Sequence, residues 1–138
     1  MNRSQLLGAA TRRYGILAVY LFGSRAEDGK RVLSGEAVSV AGSDLDVGVV
    51  FVDPGFEPRS LSRLQVDLEE VFAPLNIDLV PLQHVDALFQ FEAIDGERVA
   101  ASDPLAADHY ELVVMRRAAE LLPIERQLER DSFGVSTV

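Results

Sequence analysis

Ile16-Leu17-Ala18-Val19-Tyr20-Leu21-Phe22-Gly23-Ser24 decides how the rest of the chain is read. Seven consecutive apolar residues of strand-forming type predict a short strand buried on both faces. Gly23-Ser24 ends it, and a glycine there lets the backbone turn tightly and come close to a ligand. If a helix or turn begins at Ser24, its free N–H groups, the serine hydroxyl and the Arg25 guanidinium can together receive phosphate oxygens. Alone, a Gly-Ser pair after a strand is an ordinary turn.

Working outward, Leu6, Leu7, Ala10 and Tyr14 recur at helical spacing, and Gly15 stands where a C-cap glycine belongs. After Arg25 the chain is polar as far as Ser43. Within that stretch Arg31-Val32-Leu33 and Val38-Ser39-Val40 flank Ser34-Gly35-Glu36-Ala37, which predicts a small hairpin. Leu45 to Val52 is a second strand, stopped by Asp53-Pro54-Gly55. Ser60 is read as the N-cap of a helix with Leu61, Leu64, Leu68, Val71 and Phe72 on one face, closed by Pro74.

Ile77 to Val80 is a third strand. Val85, Leu88, Phe89 and Ile94 predict a helix, and Arg98 to Ala101 an edge strand. Asp103-Pro104 opens a last helix, expected to run to Leu122, break at Pro123 and resume for a turn or two. Alternating strands and helices indicate an α/β sheet with helices on one or both faces. No repeat or linker divides the chain, so residues 1–130 are expected to form one domain and 131–138 a frayed tail.

The chemistry lies in the acids. Asp44-Leu45-Asp46 opens the second strand, and side chains two apart on a strand share a face, about 6–7 Å apart at Cα. Two carboxylates so placed repel unless a cation lies between them, and an all-oxygen site suits Mg²⁺. A cap and a solvent-facing residue would be the bland alternative. Against it stands the apolar company of Asp46, namely Leu45, Val47, Val49, Val50, Phe51 and Val52. Asp78, inside Ile77-Asp78-Leu79-Val80, repeats the pattern, and pairing of neighbouring strands about 4.8 Å apart would bring it beside the first two. His84 and His109 carry no partner spacing and read as loop and helix-surface residues.

Leu21-Phe22-Gly23-Ser24-Arg25-Ala26, Ser43-Asp44-Leu45-Asp46-Val47 and Ile77-Asp78-Leu79 together resemble the minimal nucleotidyltransferases of the DNA polymerase beta superfamily. All three elements occur in the family's order, over about the first 80 residues. The stretch through Gly96-Glu97-Arg98-Val99 and the helix containing Tyr110 and Glu111 loosely resembles the antitoxin members, which are paired with a HEPN-type toxin ribonuclease. The resemblance implies a small mixed β-sheet with flanking helices. It implies that Asp44 and Asp46 bridge two Mg²⁺ ions, with Asp78 helping to hold the one nearer the acceptor and taking the acceptor's proton. It also implies that Gly23 and Ser24 hold the β- and γ-phosphates of ATP and that Arg25 neutralises the leaving pyrophosphate. One departure stands out: Ser24 and Asp44 are twenty positions apart, about twice the family's usual spacing. The predicted Arg31–Ala41 hairpin would account for it.

Bulk composition narrows the partners. The chain has 138 residues, a formal net charge of −9 and no cysteine, which excludes disulfides and thiolate metal sites. Its basic residues are scattered, whereas a protein that tracks long nucleic acid carries a basic stripe. Ile16–Phe22 is far too short to span a bilayer, so a cytoplasmic protein without membrane contact is expected. About sixty residues follow Asp78, too few for the separate substrate domain of antibiotic-modifying relatives. By elimination and by resemblance, the expected acceptor is a hydroxyl on a partner protein, a HEPN-type toxin, with this chain as its antitoxin. AMP transfer to a small molecule of aminoglycoside type, and a catalytically idle module that neutralises a partner by contact, remain the alternatives.

Overall fold

A computed structural model describes residues 1–53, 55 and 58–133, with side chains as far as Leu122. The elements are helix α1 (Arg3–Tyr14), strand β1 (Ile16–Phe22), α2 (Ala26–Leu33), β2 (Leu45–Phe51), α3 (Pro58–Phe72), β3 (Ile77–Pro81), α4 (Ala87–Ile94), β4 (Glu97–Ala101) and α5 (Pro104–Phe133). The strands form one sheet in the order β3-β2-β1-β4. β1 is antiparallel to β2 and to β4, while β2 and β3 are parallel, so the sheet is mixed as expected.

α1 begins with a capping box, in which the Asn2 side chain accepts from the Gln5 N–H at 2.8 Å and the Gln5 side chain accepts from the Asn2 N–H at 2.9 Å. β1 is buried on both faces, as its unbroken apolar run requires. Ile16, Val19 and Leu21 join Leu45, Val47, Val49 and Phe51 under a layer of α1 and α3, where Leu7, Leu64, Leu68, Val71 and Phe72 are buried. Ala18, Tyr20, Phe22 and Val50 face the other way, against Leu82, Ala93, Ile94, Ala107 and Val114 of the α4–α5 side. In the β1–β2 pair, Ile16 aligns with Phe51 and Phe22 with Asp46, and the one irregularity falls between Ile16 and Ala18.

Three local expectations need correction. Residues 31–41 form no hairpin: Ala26–Leu33 is helical, and the chain from Glu36 to Asp44 has no strand. Gly29 explains the helix. A Cβ there would lie 2.8 Å from Leu21 Cδ1 and 2.9 Å from Leu45 Cδ1, so only glycine lets α2 sit this close to the sheet, with Val32 buried one turn on. Ser60 lies inside α3, which starts at Pro58, a residue suited to a first helical turn because its missing N–H would be unpaired there. Finally, α5 continues through Pro123 to Phe133, since a proline removes one helical hydrogen bond and bends a long helix without having to end it. Of the expected tail, residues 134–138 lie outside the described residues. No helix among the described residues is long and apolar enough to cross a membrane.

Candidate active site

Gly23 and Asp46 meet at the end of β1 and the start of β2. Gly23 has φ 74°, and a Cβ built on it would run into Asp46 Oδ2. Two independent demands therefore fix a glycine here, the left-handed backbone and the carboxylate pressed against it. Asp46 pairs in register with Phe22 on one side and Asp78 on the other. Because alternate residues share a face, Asp46 and Asp78 stand on the α4–α5 side of the sheet, opposite Leu45, Val47, Ile77 and Leu79.

Asp46 is half-buried, whereas Asp44, just before β2, and Asp78 are exposed. Burial first, and then the negative charges of Asp78, Glu92 and Asp44, raise the pKa of Asp46. A cation placed between these groups would reverse each of the charge effects. The donors are all carboxylate oxygens, which is the chemistry Mg²⁺ prefers. Among the described residues, however, no three His, Asp or Glu side chains converge closely enough to form a ready ligand cage. Asp46 and Asp78 are brought together by register, and Asp44 stands one step outside the strand.

Ser24 is exposed, and its Oγ lies 3.1 Å from Ser43 Oγ, which ties the Gly-Ser turn to the segment carrying Asp44. Arg25 is tied down within the chain. It is only 7% exposed. Its Nε donates to Asp28 at 2.8 Å, Nη1 donates to the Ser43 and Ala41 carbonyls at 3.0 and 3.2 Å, and Nη2 donates to the Ser39 carbonyl. The planar fork of donors suits it to gather carbonyls that have no strand partner. Arg25 is thus the pin of the 36–44 loop, and its guanidinium is directed to backbone oxygens of this chain.

The sequence profile described as polymerase beta, nucleotidyltransferase, matches residues 5–104. The chain belongs to the polymerase beta nucleotidyltransferase family. Solved structures similar to it include a toxin–antitoxin with AMP-PNP, at TM-score 0.65 and 16% identity over 96% of this chain and 98% of that one. Another is the complex of a tri-AMPylated Shewanella oneidensis HEPN toxin with an MNT antitoxin, at TM-score 0.64 and 15% identity over 96% and 97%. A proposed minimal nucleotidyltransferase gives TM-score 0.50 and 26% identity over 68% and 84%. No curated protein matches the chain significantly.

In this member of the family the long interval between Ser24 and Asp44 is taken up by α2 and the pinned loop, and the two ends of the interval are held together at Ser24 and Ser43. Two residues escaped the sequence reading. Glu92 on α4 is near enough for its charge to act on Asp46. No sequence signal pointed to it: it follows Phe89 by one turn, and only the fold packs the Phe89 ring edge-on against Phe22, the register partner of Asp46. Tyr20, read only as a strand former, is fully buried and donates to Glu111 of α5 at 2.8 Å. Burial and that bond push its pKa far up, so it is a permanent neutral donor. Glu111 also accepts from Arg98 of β4 at 2.7 Å, and Tyr110 donates to Gln90 of α4 at 2.7 Å, which fastens α5 to the sheet and to α4.

Proposed function

We propose that this protein is a Mg²⁺-dependent nucleotidyltransferase that moves AMP from ATP to a hydroxyl on a partner protein, a HEPN-type toxin, and so acts as its antitoxin. The observation that carries the reading is the Gly23–Asp46 contact, which seats a turn of phosphate-binding type on a carboxylate in register with a second one. The AMP-PNP complex and the AMPylated HEPN toxin among the similar structures support the choice of nucleotide and acceptor.

In this reading Gly23 and Ser24 receive the β- and γ-phosphates through the open backbone of the turn and the serine hydroxyl. Arg25 holds the loop that sets Ser43 and Asp44 against that turn. Asp44, Asp46 and Asp78 would hold two Mg²⁺ ions, whose chemistry is to neutralise charge on the attacking and leaving oxygens. Asp78, exposed at the outer strand, accepts the proton of the incoming hydroxyl. The hydroxyl oxygen bonds to the α-phosphorus as the bond between the α-phosphorus and the α–β bridging oxygen breaks, and pyrophosphate departs. Half-burial keeps Asp46 fixed between the turn and Asp78.

The experiment is incubation of the chain with Mg²⁺, ATP labelled at the α-phosphate and a HEPN-type protein from the same source, followed by separation and mass measurement. The expected result is a partner heavier by one or more AMP units that stays inactive after this chain is removed. Loss of label with Asp46→Asn or Asp78→Ala is expected alongside. A partner that comes away unmodified and active would overturn the protein-acceptor reading and turn attention to small-molecule hydroxyls. Protection by Asp78→Ala that lasts only while the two proteins remain mixed would identify a contact inhibitor.

A further inference from the structure

Phe22, Asp46 and Asp78 stand in one row across β1, β2 and β3. All three are on the α4–α5 side of the sheet, so the row runs from a ring through one carboxylate to another. With strands about 4.8 Å apart, the ring and Asp78 occupy positions about 10 Å from each other, on opposite sides of Asp46. α4 closes down on the ring end of the row. Ala93 and Ile94 are buried, and a Cβ on Gly96, just past the helix, would strike the Leu21 carbonyl and the Phe22 side chain. The Asp86 carboxylate accepts from the Phe89 N–H at 2.8 Å and fixes the first turn. Phe89 then lies against Phe22, with ring centroids 5.9 Å apart and an interplanar angle of 85°.

Phe22 is only 4% exposed, whereas Phe89 is 36% exposed. An edge-on pair covers at most one face of a ring, so Phe22 leaves a broad face of Phe89 uncovered beside the site. Glu92 follows one turn on along the same side of α4, exposed, and near enough for its charge to act on Asp46. A ring and a carboxylate at this spacing offer a stacking surface and a hydrogen-bond acceptor together. The carboxylate repels phosphate and accepts from hydroxyls, so the pair suits the uncharged part of a nucleotide. The row tells which reactant meets it. Gly23-Ser24 follows Phe22 directly, so the ring end is the end at which the transferase reading holds the triphosphate. Asp78, where the incoming hydroxyl gives up its proton, is the other end. We infer that Phe89 and Glu92 form the nucleoside subsite of the donor, the Phe89 ring stacking on the base and the Glu92 carboxylate accepting a hydrogen bond from a ribose hydroxyl. This subsite rests on the transferase reading and adds to it the residues that tell a nucleoside triphosphate from its phosphates alone.

The test is calorimetric titration of the full chain in Mg²⁺ with ATP, with 2′,3′-dideoxy-ATP and with inorganic tripolyphosphate. The parent should bind ATP about tenfold tighter than tripolyphosphate and about fivefold tighter than dideoxy-ATP. Phe89→Ala should weaken ATP about tenfold and leave tripolyphosphate within about twofold, a selectivity that a collapsed site cannot show. Glu92→Ala should bring ATP and dideoxy-ATP to equal affinity, whereas loss of its charge alone would shift both alike. Equal binding of ATP and tripolyphosphate by the parent, or equal weakening of both by Phe89→Ala, overturns the subsite and leaves the phosphate turn and the acids as proposed. So does a Phe89→Ala chain that binds ATP like the parent and yet transfers AMP slowly, because the ring would then serve the acceptor. A parent that binds neither ATP nor tripolyphosphate overturns the transferase reading together with the subsite.

Discussion

At the scale of single residues, the site turns on how closely Asp46 is approached. Gly23→Ala must adopt a left-handed backbone at a cost of about 1–2 kcal/mol and must also push the Asp46 carboxylate aside. The expected outcome is a measurable fall in melting temperature and at least a hundredfold loss of AMP transfer in a single-turnover assay. Asp46→Asn separates folding from chemistry. Because the folded-state pKa of Asp46 is raised, the ionised carboxylate penalises the fold, and that penalty grows as pH rises through the raised pKa. In metal-free buffer at neutral pH the Asn variant should therefore melt no lower than the parent. Any gain should vanish in acid, where both states of the parent are protonated, while transfer collapses throughout. The acids within apolar strands were legible because a charge in that company needs a cause. Arg25 was not, since a guanidinium beside a glycine turn is equally suited to phosphate and to backbone carbonyls until the path of the loop is known.

Elements raise a different problem, that of segments whose partners are distant in sequence. β1, β2 and β3 announce themselves by unbroken apolar runs, and β4 by its place before the Asp103-Pro104 cap. The 26–44 stretch does not, because its helix depends on Gly29, a residue that local rules count against helix and that tertiary contact with Leu21 and Leu45 requires. The loop that follows is held by Arg25 and by Val38, which packs against the core. Arg25→Ala should accordingly accelerate limited proteolysis between residues 36 and 43 by at least tenfold, and Arg25→Lys should do nearly the same, because an ammonium cannot reach the Ser39, Ala41 and Ser43 carbonyls together. An intact loop in either variant, combined with lost nucleotide affinity, would restore Arg25 to the role of phosphate ligand.

Across the whole molecule, the sheet separates two kinds of work. One face, under α1 and α3, is filled by apolar side chains, and the other brings Asp46, Asp78 and Glu92 to the α4–α5 side. Sequence alternation showed that such faces exist, but not which helix covers which, and so the place of Glu92 beside Asp46 came only with the fold. Tyr20→Phe tests the fastening between α5 and the sheet. Loss of a hydrogen bond to a charged group should cost about 1.5–3 kcal/mol in denaturant unfolding, with little change in the rate of AMP transfer. The irregularity in the β1–β2 pair bears on how such a protein can change over generations. It lies between Ile16 and Ala18, at the end of the pair remote from Asp46. A slip of one residue elsewhere in the ladder would turn Asp46 to the apolar face, but one absorbed at this point leaves the pairs from Ala18 to Phe22 untouched. Insertions and deletions in the connection after β2 can therefore accumulate there without being felt at the acids, and length variation among descendants should concentrate at that end of the molecule.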